Sequence, residues 1–168
     1  MIRKLIREVI EELFDKIELP KNFEIINKSN SIIYKFVFNE IIYGVEFSKA
    51  APTDEIMAPD KRIMNIINNC EEKFVINFGL LTKSNEIESG AETNQNNAVQ
   101  IIDSVCALIK HFIKINDVKI IIYYATKKRD LIYKYIYNKH LKNDFVFYSA
   151  KEKFFYDRFL IKKELING

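Results

Sequence analysis

The residues of this chain that could do chemistry are cations, tyrosines and two isolated histidines, so the first question is what such groups can hold. Lys127, Lys128 and Arg129 follow Thr126 at the start of a run with helical spacing. Cations in a first turn oppose the helix dipole, which prefers Asp or Glu there. A sequence that tolerates this cost can use the three cations and the free amides of the turn to hold an anion such as a phosphate. The plainer reading is three solvated side chains at a strand–helix junction. Asp130 on the same turn softens the charge in either case.

Tyr123, Tyr124, Tyr133, Tyr135, Tyr137, Tyr148 and Tyr156 crowd the last third of the chain among Lys and Arg. Aromatics interleaved with cations can stack bases and neutralise phosphates. More often such tyrosines line the rim of a core, ring buried and hydroxyl wet. His111 falls on the polar side of its helix and His140 near a helix end, and neither has a Cys, Asp or Glu at ligand spacing, so no metal is expected. Cys70 and Cys106 are too few for a disulfide framework, and Cys106 lies on an apolar helix face. No Ser or Cys stands in an elbow or triad context. Glu40 and Glu46 lie on a hairpin, and no acyl-acceptor site accompanies Glu46 to give it a base's task.

The elements that must position these groups form one α+β domain over residues 1–168. That length suffices for a real core, and 48% hydrophobic with 29% charged residues is a globular composition. Residues 1–102 carry 12 basic and 16 acidic side chains, a net of −4, and residues 103–168 carry 14 and 7, a net of +7. The basic half raises the prospect of an anionic partner, nucleic acid included. Residues 1–19 read as an N-terminal amphipathic helix, with Ile2, Leu5, Ile6, Val9, Ile10, Leu13, Phe14 and Ile17 on one face and Pro20 ending it. It packs on the sheet or pairs with a second copy in a homodimer. Its glutamates argue against a membrane surface, no signal peptide or spanning run is read, and a cytoplasmic protein is expected.

Residues 23–48 hold strands and a hairpin. A two-residue turn at Asn39-Glu40 sets Phe38 opposite Ile41, Phe36 opposite Tyr43, Tyr34 opposite Val45 and Ile32 opposite Phe47, one apolar face. Pro52 and Pro59 bracket a loop, and Lys61–Asn69 reads as a short helix with Ile63, Ile66 and Ile67 inward. A strand follows at Lys73–Thr82, then a long exposed loop at Lys83–Asn97 and an amphipathic helix from Val99 to Ile113. Val118–Ala125 is a near-continuous apolar run, as of a central strand buried on both faces. Thr126 caps a helix reaching about Leu141, and Phe145–Ser149 and Phe154–Lys162 are two last strands joined by a turn at Ala150–Lys153.

The order from residue 73 to 168, with the hairpin before it, resembles the Gcn5-related N-acetyltransferase fold, and the chain also looks like small uncharacterised phage and bacterial proteins. The resemblance implies a central mixed, mostly antiparallel sheet flanked by helices. In Thr126-Lys-Lys-Arg-Asp-Leu-Ile-Tyr133 it places Tyr133 where that family's tyrosine sits near the acyl sulfur. The family holds the acetyl-CoA pyrophosphate on a glycine-rich loop entering the long helix. Here Ser84–Asn97 has one glycine, no Arg and three glutamates. Close backbone approach needs glycine, so no cofactor is expected and the balance leans away from an enzyme. Three functions stand open: a non-catalytic binding or regulatory module of phage or mobile-element origin acting on a protein partner, an atypical N-acetyltransferase using acyl-CoA, and an anion or nucleic-acid binder through the basic half.

Overall fold

The hairpin register follows from its turn. In the computed structural model, which describes residues 18–50, 60–88, 98–151 and 156–168, β2 (Ser31–Phe38) and β3 (Ile41–Lys49) pair through all four expected partners, from Phe38 with Ile41 to Ile32 with Phe47. Asn39 and Glu40 both take positive φ, 47° and 66°. This is the mirror-image turn whose twist suits a two-residue hairpin, and Asn tolerates it best. Tyr34, Phe36, Tyr43, Val45 and Phe47 are buried on one face. The expected Phe23–Asn27 strand is β1 (Glu24–Asn27), along β2. Residues 1–17 of the N-terminal amphipathic segment and all of the Pro52–Pro59 loop lie outside the described residues.

Helix α1 is Lys61–Asn69, capped by the Asp60 carboxylate, which accepts from the Ile63 amide at 2.8 Å. Its Ile63 and Ile67 are buried on one face of the sheet against Ile120, Ile122, Phe159 and Ile161. The opposite face packs on α2 (Ala98–Asn116) and α3 (Lys127–Ile136) through Val105, Leu108, Phe112 and Tyr133. Alternation in β6 (Ile120–Ala125) serves both layers, with Ile120 and Ile122 to one side and Ile121, Tyr123 and Ala125 to the other. An apolar run without polar breaks is what a strand covered on both faces requires.

The sheet runs β1-β2-β3-β4-β6-β8-β7, with β4 at Lys73–Leu81, β7 at Phe145–Lys151 and β8 at Tyr156–Lys162. Every neighbouring pair is antiparallel except β4 with β6. From residue 73 onward the chain follows the acetyltransferase-like succession of elements. β4 and β6 are registered only from Lys73 with Ile120 to Val75 with Ile122. Beyond those pairs β4 stays with β3, and the two parallel strands part.

Several expectations change, and the first is that β7 runs on through Ala150 and Lys151, where a turn was expected. The stretch from Lys83 is not all loop: Ile87–Glu88 forms β5 on Leu80 and Leu81, and residues 89–97 lie outside the described set. Gly44 and Gly79 face each other across β3 and β4. A Cβ on Gly79 would collide with the Glu88 carbonyl, so the missing side chains make the room that β5 uses. Thr126 takes the extended cap conformation but its side chain makes no cap hydrogen bond. The helix it opens changes to a π-helical turn at Tyr137–Leu141. A short α4 (Lys163–Asn167) follows β8, and Arg62 on α1 donates to its Ile166 carbonyl at 2.6 Å.

Candidate functional site

The place where β4 and β6 part is the natural site, because unpaired strand edges expose carbonyls that something must satisfy. The carbonyls of Ile76 and Phe78 lie two residues apart and so on one edge of β4. Tyr133 on α3 donates its hydroxyl to the Ile76 carbonyl at 3.2 Å. Arg129, one turn earlier, donates to the Asn77 side-chain oxygen at 2.9 Å and to the Phe78 carbonyl. Its guanidinium also lies over the Phe78 ring, 5.1 Å from the centroid. Farther along, Leu80 and Leu81 are taken up by β5. The gap is therefore filled from within.

Two further groups sit beneath α3. The Tyr123 ring stacks on Tyr133 with centroids 3.9 Å apart, and its hydroxyl is buried without a hydrogen-bond partner. Burial pushes both phenols well above the usual tyrosine range, so both stay protonated. Beside them Asp130 accepts from Arg158 on β8 in a two-pronged pair, 2.7 and 3.1 Å, and from Lys134 at 2.9 Å. Burial drives the Asp130 carboxyl up, but the hydrogen bonds from Arg158 and Lys134 outweigh it and hold the carboxyl below its ordinary value.

The sequence-predicted cations divide. Arg129 turns inward onto β4, while Lys127 and Lys128 are exposed at the first turn, on a face continued by Leu131 and Tyr135, 65% and 41% exposed. The tyrosines also scatter. Tyr123 and Tyr133 are core, Tyr137 donates to the Phe145 carbonyl at 3.3 Å, Tyr148 packs toward α1, and Tyr124 and Tyr135 are exposed. The Tyr156 side chain lies outside the described set.

Cys106 is buried and its thiol is pushed up to about 12, chiefly by that burial, so it acts as a small hydrophobe. Cys70 is half-buried, 3.8 Å from a Glu72 oxygen. Glu46 accepts from the Ser31 hydroxyl at 2.7 Å and pairs with Lys28, and Glu40 is exposed in the turn. Among the described residues no three His, Cys, Asp or Glu gather as metal ligands. No described helix is long and apolar enough to cross a membrane. Spacing pointed to Tyr133 only through the resemblance, and nothing in it marked Asp130 with Arg158 or the lone Tyr123 hydroxyl. These come together across two strands and a helix.

Solved structures similar to the chain are the Campylobacter jejuni N-acetyltransferase PseH, and the same protein in complex with acetyl coenzyme A. Each has a TM-score of 0.40 and 14% identity, and covers 81% of this chain and 70% of that chain. At that degree of likeness nothing about activity passes from them to this chain. No protein-family model matches it, and no curated protein does.

Proposed function

We propose that the chain is a non-catalytic binding or regulatory module on an acetyltransferase-like scaffold, acting on a protein partner. The observation that carries this reading is the filled gap: Tyr133 and Arg129 occupy the edge of β4 that a ligand entering between the parting strands would have to use. A phenol whose proton is already given to a backbone carbonyl is poorly placed to serve a leaving group. The poverty of glycine in Ser84–Asn97 argues the same way from the sequence.

The outer face of α3 is the surface offered to the partner. Lys127, Lys128, Leu131 and Tyr135 are exposed there, and the one acid of the helix, Asp130, faces inward. Apolar anchors among lysines suit an acidic protein surface. An abundance of Ile, Lys and Asn supports origin in an AT-rich phage or mobile element. A homodimer through residues 1–19 is a separate proposal that rests on apolar periodicity alone, and light scattering of the intact chain beside one lacking that segment tests it.

Acetyl-CoA at millimolar concentration should transfer its acetyl group to no amine acceptor and should stabilise the fold no more than a simple adenine nucleotide does, because a ligand stabilises only through affinity for the folded state. A rise in melting temperature, together with acetyl transfer to any amine acceptor, would restore the acyl-CoA enzyme in place of the binding module.

A further inference from the structure

Away from the β4–β6 gap, where β6 and β7 begin and β8 ends, a cavity of about 760 Å³ opens between α2, the π-helical turn and the start of α4. Its volume falls within the few hundred to about 1,000 Å³ of small-molecule sites. Both histidines of the chain, His111 and His140, line it, although nothing in their spacing placed them together. Phe145 and Leu141 supply an apolar wall.

The charge around the cavity is not balanced. Asp117 and Glu164 are already matched, since Lys119 pairs with both and Lys162 pairs with Asp117 at 3.1 Å. What remains on the lining, leaving Lys110 aside, is Lys114 and Lys163 against the carboxylate of Asp144. Among the described residues neither the Lys114 nor the Lys163 ammonium has a carboxylate partner. No Arg is among the described residues that line the cavity. A planar carboxylate is best gripped by the guanidinium fork, whereas Lys acts as a point charge and serves phosphate well. Each imidazole can add an N–H donor.

We propose that this cavity binds a small phosphate-bearing molecule. Lys114 and Lys163 hold the phosphate, with the histidines beside them, and a flat or apolar body lies against Phe145 and Leu141. The site is separate from the filled gap beneath α3 and stands whether or not the chain proves to be a binding module.

The test uses the full chain with adenosine monophosphate, inorganic phosphate, adenosine and malonate as probes, read by calorimetry and thermal shift. Adenosine monophosphate should bind and raise the melting temperature, and inorganic phosphate should do so more weakly. Adenosine and malonate should do neither. Lys114→Glu and Lys163→Glu should each weaken the nucleotide at least about tenfold. Both side chains are exposed at the cavity rim, so the unliganded melting temperature should not change. Lys127→Glu with Lys128→Glu, on the outer face of α3, should leave binding intact. The proposal is overturned if neither phosphate-bearing probe binds, if malonate matches phosphate, if binding survives both cavity changes, or if the α3 pair abolishes it.

Discussion

Removing one oxygen at a time from the stacked pair Tyr123 and Tyr133 separates two kinds of buried hydroxyl. Tyr133 donates to the Ile76 carbonyl at 3.2 Å, longer than the usual 2.7–2.8 Å of a hydroxyl bond to oxygen. Tyr133→Phe leaves that carbonyl unsatisfied inside the protein, which costs about 1–3 kcal/mol. The long bond places the loss at the lower end, about 1 kcal/mol. The Tyr123 hydroxyl is buried, and no partner meets it. Its desolvation is already a burden on the folded state, so Tyr123→Phe should stabilise by roughly 1 kcal/mol, since the ring and its stacking stay in place. For a domain of this length, 1 kcal/mol moves the melting temperature by about 2–4 °C. The two variants should thus separate by about 4–8 °C, in opposite directions from the wild type. Calorimetry at neutral pH, where neither phenol ionises, reads this directly. If Tyr123→Phe loses as much as Tyr133→Phe, the Tyr123 hydroxyl has a partner in solution, such as a buried water, and the accounting of the gap is wrong.

Other consequences follow from single contacts. Phe36 is buried and stacked on Tyr43, so Phe36→Ala should cost about 3–5 kcal/mol in chemical denaturation. Lys35→Ala loses only a surface pair with Glu24, within about 1 kcal/mol, and equal effects would refute the register. Gly79→Ala should dislodge β5, because the new methyl meets the Glu88 carbonyl. Faster amide exchange at Ile87 and Glu88 is the readout, and unchanged protection there would show that the strand can give way. The pH dependence rests on Asp130, whose folded pKa is depressed. An unfolded Asp takes up its proton first, near pH 4, so the stability this group contributes is full above that value and lost as pH falls through the lower folded value. Asp130→Asn removes the negative charge that Arg158 meets inside the protein, which should cost about 3–5 kcal/mol at neutral pH. It should also flatten the loss of stability on acidification, and an unchanged acid profile would assign that loss to other carboxylates.

The hairpin register and the extent of the helix Lys61–Asn69 were legible because their causes are local. Strict alternation around Asn39-Glu40 admits one register with an apolar face, and Asp60 supplies the cap three residues before the amide it binds. The unbroken apolar run ending at Ala125 likewise announced a strand covered on both sides. The candidate site was legible only in part. Lys127, Lys128 and Arg129 are alike in sequence, yet only Arg129 points at the sheet, because one helix position in three or four faces inward and the direction depends on where α3 lies across β4. Tyr133 and Ile76 are 57 residues apart, Arg158 and Asp130 are 28 apart on different elements, and His111 and His140 line one cavity only because α2 passes the π-helical turn. Periodicity reports which face of an element is apolar, not which neighbour that face will meet. The parting of β4 from β6, the side chains that fill it and the cavity at the other end of β6 belong to tertiary structure, because each depends on strand order and helix placement that no local spacing encodes.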